Sequence, residues 1–207
     1  MLKGMTVEYL LNRSFKVQNS HKVLFHAAAG GVGLIAGQWL KYIGAESIGT
    51  VGSDDKIKLA KDAGYDHVIN YNKSNFVEEV ARITGGIGVD VAYDSVGQAT
   101  YPHTLSCLKK FGLFVSFGQS SGVIQDIAMG DLAKNGSLYA QRPTLFDFIS
   151  SKESLKQVSE NMFKMLAEGH VKMHINQRYA LKDVSKAFEM LMARKTTGAT
   201  VFDVGRG

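Results

Sequence analysis

The chain has 207 residues, 45% of them hydrophobic and 21% charged, with a formal net charge of +5. That balance excludes a disordered or fibrous chain, and a lone cysteine, Cys107, excludes an internal disulfide and fits a reducing cytoplasm. No uninterrupted apolar run is long enough to cross a bilayer, the N-terminal residues lack signal-peptide architecture, and the scattered basic residues form no nucleic-acid tail.

In chain order, the first strong pattern is the apolar run Lys22-Val23-Leu24-Phe25, which predicts a buried parallel strand over 22–26. The segment HAAAGGVG at 26–33 follows, and then a helical pattern over 34–43. Strand, glycine-rich turn and helix together make the dinucleotide-binding fingerprint. Gly30 and Gly31 let the backbone approach a pyrophosphate, and Gly33 lets the helix pack closely on the strand. Val32 stands between them, where free N–H groups and the positive end of the helix dipole await an anion. Ala28 replaces the first glycine of the usual pattern. A tight turn with no ligand can carry the same glycines; the flanking strand and helix favour the nucleotide.

Further strands are predicted over 47–51, 67–70, 89–94, 113–117 and 137–141, with helices over 56–63, 75–84, 100–108 and 127–134 between them. This alternation predicts an α/β fold, a doubly wound six-stranded parallel sheet of order 3-2-1-4-5-6. After Arg142-Pro143 the alternation stops. A long helix is expected over 151–167, with Leu155, Val158, Met162, Met165 and Leu166 on one face and Gly169 as its stop. A strand over 175–179, a helix over 182–194 and a strand over 200–204 complete the pattern, so the expected division is a dinucleotide-binding domain over 1–145 and a tail over 146–207.

Enzymes that use NAD normally end the second strand on a carboxylate that grips the adenosine ribose. Here that strand ends in Gly52-Ser53, which leaves room for a 2′-phosphate, and Lys56 follows on the first turn of the next helix. The expectation is therefore NADPH, although Asp54 and Asp55 place negative charge nearby. Tyr71, after the third strand, is placed at the adenosine end, or is a surface tyrosine in a turn. Ser95 follows the fourth strand, and Phe117, Gly118, Gln119 and Ser120 follow the fifth, so both segments border the nicotinamide end or are ordinary strand-to-loop turns. The six histidines show no metal-ligand spacing, and no metal site is expected.

These residues raise a specific resemblance. LKGMTVEYLL at 2–11, HAAAGGVG at 26–33, GTVGSDDK at 49–56, VINY at 68–71, VAYDSVGQAT at 91–100, VSFGQSSG at 115–122, RPTL at 142–145 and ARKTTG at 193–198 span essentially the whole chain. The chain resembles the zinc-independent NADPH:quinone oxidoreductases of the medium-chain dehydrogenase/reductase superfamily, the group that includes zeta-crystallin. The resemblance implies hydride transfer from NADPH to a quinone, and a homodimer formed through the strand at 137–141. It places Thr6 and Tyr9 beside the nicotinamide, Gly31 and Val32 on the pyrophosphate, and Gly52, Ser53 and Lys56 around the 2′-phosphate. Tyr71 and Arg194 would close the adenosine pocket; Ser95, Phe117–Ser120, Pro143, Thr144 and Leu145 would line the rest. Family members begin with a GroES-like catalytic domain, which implies that this sequence is a fragment in which 146–207 belongs to an incomplete catalytic domain. Most of the quinone's binding wall would lie in that domain, so no catalytic side chain is assigned. A non-catalytic NADPH-binding module, an enoyl reductase of the same superfamily and an RNA-binding relative are the alternatives; the sequence carries no RNA-recognition signature.

Overall fold

The computed structural model describes residues 1–193 and 195–205. Helix α1 (Leu2–Tyr9) runs into a wider π-type turn at Leu10–Ser14, and β1 (Lys22–Phe25) enters the sheet. The chain then alternates through α2 (Gly33–Ile43), β2 (Glu46–Val51), α3 (Asp55–Asp62), β3 (His67–Asn70), α4 (Phe76–Ile83) and β4 (Val89–Asp94). A 3₁₀ turn at His103–Cys107 leads to β5 (Leu108–Ser116), α5 (Met129–Lys134) and β6 (Tyr139–Gln141). The six strands lie parallel in the order β3-β2-β1-β4-β5-β6, the doubly wound topology read from the sequence. The order reverses between β1 and β4, and a crevice opens at the carboxyl ends of the strands on either side.

Period-two side-chain alternation divides the core in two. Val23 and Phe25 of β1 join Val91 and Tyr93 of β4 on the face covered by α1 and α2. Leu24, Ala92 and Phe114 point the other way, onto Val80, Leu105, Leu132 and Leu138.

After α6 (Leu145–Phe148), the long helix α7 (Lys152–Ala167) packs against α1. Ser151 caps α7 by accepting from the Ser154 amide, while the Ser154 hydroxyl accepts from the Ser151 amide. Val158, Met162 and Met165 face the first core, and Leu155 is largely exposed. Glycine at position 4 permits this approach, because a Cβ there would lie 2.4 Å from Met162 Sδ. Buried Glu8 accepts from Arg13 and from Asn161 Nδ2 at 2.9 Å, tying α1 to α7. Strand β7 (Ile175–Ala180) pairs in parallel with β8 (Ala199–Asp203), and a 3₁₀ turn at Leu181–Asp183 with helix α8 (Val184–Met192) connects them.

Three expectations fail locally. The helix predicted over 100–108 is a 3₁₀ turn, and β5 begins at Leu108, five residues earlier than expected. Phe111, at φ +62°, and a register shift between Val89 and Val91 interrupt the pairing there, which hides the early half of the strand from a periodicity reading. The sixth strand starts at Tyr139 because Ser137 takes φ +55°, outside any strand conformation, and the Leu138 amide donates to Leu132 O.

Replacing Met162 by Ala should open a cavity between α1 and α7 and cost about 2–5 kcal/mol. A fall in the urea midpoint with an unchanged slope checks this.

Candidate functional site

The glycine turn is built by close approach. A Cβ on Gly33 would lie 2.4 Å from Ala27 O and 2.6 Å from Ala28 O, so only glycine lets α2 begin against the end of β1. Tyr65 Oη donates to Gly33 O at 2.9 Å and holds that first turn from the α3 side. Ala27 adopts φ +56°, which turns the chain off the strand and is unusual for a residue with a side chain.

Gly31 has close neighbours from both ends of the chain. A Cβ there would meet Lys3 Nζ at 2.5 Å and Gly198 O at 2.6 Å. The glycine therefore also makes room for a strap from the tail. Gly198 forms a parallel bridge with Gly30, its amide donates to Ala29 O at 3.2 Å, and Lys3 Nζ donates to Gly198 O at 3.3 Å. Half-burial lowers the Lys3 pKa from its ordinary value.

Above the turn lies a cleft of ≈ 220 Å³. Gly30, Gly52, Lys56, Tyr71 and Ser120 all line it, so five expected site residues from four separate loops converge. Val96, Leu191 and Thr196 also line it and were not singled out; Thr196 lies inside the ARKTTG segment, which was the available signal. Gly52 makes room for Tyr71, whose Oη lies 2.6 Å from the place a Cβ would take. Ser53 begins the turn into α3, and its carbonyl accepts from the Lys56 amide. Val32 precedes α2 and packs against the first core.

A second hollow, ≈ 310 Å³, opens at the ends of β5 and β6, with Gly118, Gln119 and Arg142 in its lining. Backbone bonds tie it to the β4 end: Phe117 N donates to Asp94 O at 2.8 Å and Ser120 N to Ser95 O at 3.0 Å. A Cβ on Gly118 would lie 2.8 Å from Ser95 O. Pro143 O accepts from Arg142 Nη1, Thr144 precedes α6, and Leu145 turns into the first core.

Not every assignment reaches these openings. Tyr9 is buried and stacked on Phe148 with ring centroids 4.6 Å apart. Burial pushes its phenol up to about 12, against the opposing pull of Arg142. Thr6 Oγ1 donates back to Leu2 O within α1. Arg194 lies outside the described residues.

Beneath the glycine turn runs a buried polar chain. His26 Nδ1 lies 2.8 Å from Thr50 Oγ1, and Nε2 lies 2.9 Å from Thr104 Oγ1. Thr104 Oγ1 donates its proton to Thr100 O, so Nε2–H donates to Thr104 and Nδ1 accepts from Thr50. Thr100 Oγ1 donates in turn to Asp94 Oδ2 at 2.6 Å, and Asp94 Oδ1 accepts from the amides of Val96 and Gly97. The chain links the ends of β1, β2 and β4, which carry the loops of the cleft. Burial lowers the His26 pKa, opposed by the Asp94 charge.

The zinc-binding dehydrogenase family profile matches residues 31–168. The chain belongs to that family. Within it, the chain is 50% identical over 202 residues to a quinone oxidoreductase of Salmonella typhimurium, covering 97% of this chain and 62% of that protein. It is 39% identical over 202 residues to a 2-haloacrylate reductase of Burkholderia, covering 97% of this chain and 61% of that protein. The crystal structure of Escherichia coli quinone oxidoreductase complexed with NADPH superposes with a TM-score of 0.96 at 45% identity, covering 99% of this chain and 63% of that one. The chain thus spans somewhat under two thirds of the length of these relatives. The family's description names zinc, but among the described residues no three His, Cys, Asp or Glu side chains converge to hold a metal ion.

The His26 chain has a pH signature. In the unfolded chain this histidine takes up a proton near its ordinary value of 6.5, whereas the folded state resists protonation. Its stabilising contribution is full above about pH 7 and is lost as the pH falls through 6.5 toward the lower folded value. His26→Gln should be less stable at about pH 7.5 and lose less further stability on acidification to about pH 5.5. Urea midpoints across that range, for both proteins, check it.

Proposed function

We propose that the chain is the cofactor-binding part of an NADPH-dependent quinone oxidoreductase. The observation that carries the reading is the cleft over the glycine turn, where Gly52, Lys56 and Tyr71 meet at the end of β2 and no carboxylate caps that strand. The dinucleotide fits in sequence: pyrophosphate over Gly30 to Gly33, 2′-phosphate near Ser53 and Lys56, adenosine against Tyr71, and nicotinamide toward Ser95 and Phe117 to Ser120. Thr6, Tyr9, Pro143, Thr144, Leu145 and Arg194 are assigned to the same cofactor by resemblance. When bound, NADPH supplies the hydride; the protein supplies binding, orientation and electrostatics.

We read residues 146–207 as the C-terminal part of the GroES-like catalytic domain. The exposed apolar side chains Leu181, Phe188, Leu191 and Met192 on and beside α8 support this. The quinone is assigned by likeness to the Salmonella and Escherichia relatives. The likeness to a 2-haloacrylate reductase favours an activated alkene as the second reading. Among the described residues no helix is long and apolar enough to cross a membrane, and a cytoplasmic site of action is part of the proposal.

Equilibrium titration tests the cofactor. NADPH should bind more tightly than NADH, and Lys56→Glu should weaken NADPH at least about tenfold while affecting NADH less, because a like charge then faces the phosphate. Equal affinity of the unaltered protein for both nucleotides would overturn the reading. NADPH oxidation with 1,4-quinones, set against 2-haloacrylates and enals, distinguishes the two substrate classes.

A homodimer is proposed through β6. Among the described residues this strand pairs only with β5, and Tyr139 on its free edge is 63% exposed. An open edge of this kind is a template for a second chain. Sedimentation at micromolar concentration should show a dimer that Tyr139→Lys converts to monomer.

A further inference from the structure

Asp54 is the residue immediately before α3, inside the turn that receives the 2′-phosphate in the reading above. A carboxylate there should repel that phosphate. Its two oxygens are both engaged from one side. Asn70 Nδ2 donates to Oδ1 at 2.7 Å, and the Lys73 ammonium pairs with Oδ2.

Asn70 ends β3 and Lys73 follows three residues later, and the stretch between them also grips the end of β2. Tyr71 N donates to Val51 O at 3.1 Å, and Asn72 Nδ2 donates to Gly52 O at 2.6 Å. Asn70 Oδ1 accepts from the Asn72 amide, and the Lys73 amide donates to Asn70 O, so the loop is held in the shape that presents Lys73. Residues 70–73 thus form a clamp on residues 51–54. These bonds hold the Asp54 carboxyl below its usual range.

We propose that Lys73 and Asn70 set cofactor selectivity through Asp54: the clamp cancels the carboxylate charge beside the 2′-phosphate position and lets the loop after β2 accept a phosphorylated ribose. Lys73 is a positioning residue in this scheme, since it acts on the nucleotide through Asp54. The ligand class it selects is a nucleotide bearing a 2′-phosphate, and the proposal rests on the NADPH reading of the cleft. Asp55, in the first turn of α3, is present in every variant below, so the comparison isolates Asp54.

The test is a double-mutant cycle on the full chain, read as the ratio of NADH to NADPH dissociation constants. Lys73→Met should lower that ratio about fivefold at low ionic strength, and the loss should shrink as salt screens an exposed charge. Lys73→Arg should keep the ratio. Asp54→Asn should keep or raise it, and the Asp54→Asn, Lys73→Met double variant should regain it. An unchanged ratio in Lys73→Met overturns the clamp. So does a loss of equal size in the Asp54→Asn background, since Lys73 would then touch the phosphate itself. A selective unaltered protein with an indifferent Lys73→Met removes the clamp alone, whereas an unaltered protein with no preference for NADPH removes the reading of the cleft and the clamp together.

Discussion

The absence of a side chain at Gly33 is the constraint on which the rest of the structure depends. Helix α2 starts where any Cβ would strike the carbonyls of Ala27 and Ala28. That contact aims the helix's free amides at the crevice beside β1, the place where the strand order reverses. Displacing the helix by even the width of a methyl would move Tyr65, which bonds Gly33 O, and with it the packing of α3 on the sheet. The site and the first core are therefore positioned by the same few atoms.

Much of this was legible in the sequence because the β/α alternation is long and regular. Strands β3 and β4 have the predicted limits, and α2 differs by one residue. Where the reading failed, the backbone does something a periodicity cannot express. Phe111 and Ser137 take positive φ, so β5 carries a break that masks its first half, and β6 starts late. The 3₁₀ turn at His103–Cys107 looks helical in sequence because its buried residues, Thr104, Leu105 and Cys107, fall at nearly helical spacing.

At the site, the residues whose chemistry is local were readable. Gly30, Gly52, Lys56 and Tyr71 each end or follow a strand, and parallel sheets gather such ends on one edge. What could not be read is pairing across the sheet. Asp54 meets a lysine 19 positions away, and His26 meets a threonine 78 positions away. In the sequence Asp54 counts against a phosphorylated cofactor; in the fold its charge is already paired. Tyr9 shows the reverse case, a residue assigned to the nicotinamide that the fold stacks under Phe148.

The strap at Gly198 has a consequence for how the two ends of the chain communicate. Lys3 lies near the first residue, Gly198 near the last, and both meet at the turn between β1 and α2. A local opening of the β7–β8 pair would release the Gly198 amide from Ala29 O and uncover the loop that carries Gly30. Amide exchange at position 198 is thus a reporter of order in a cleft built mostly from residues more than seventy positions earlier.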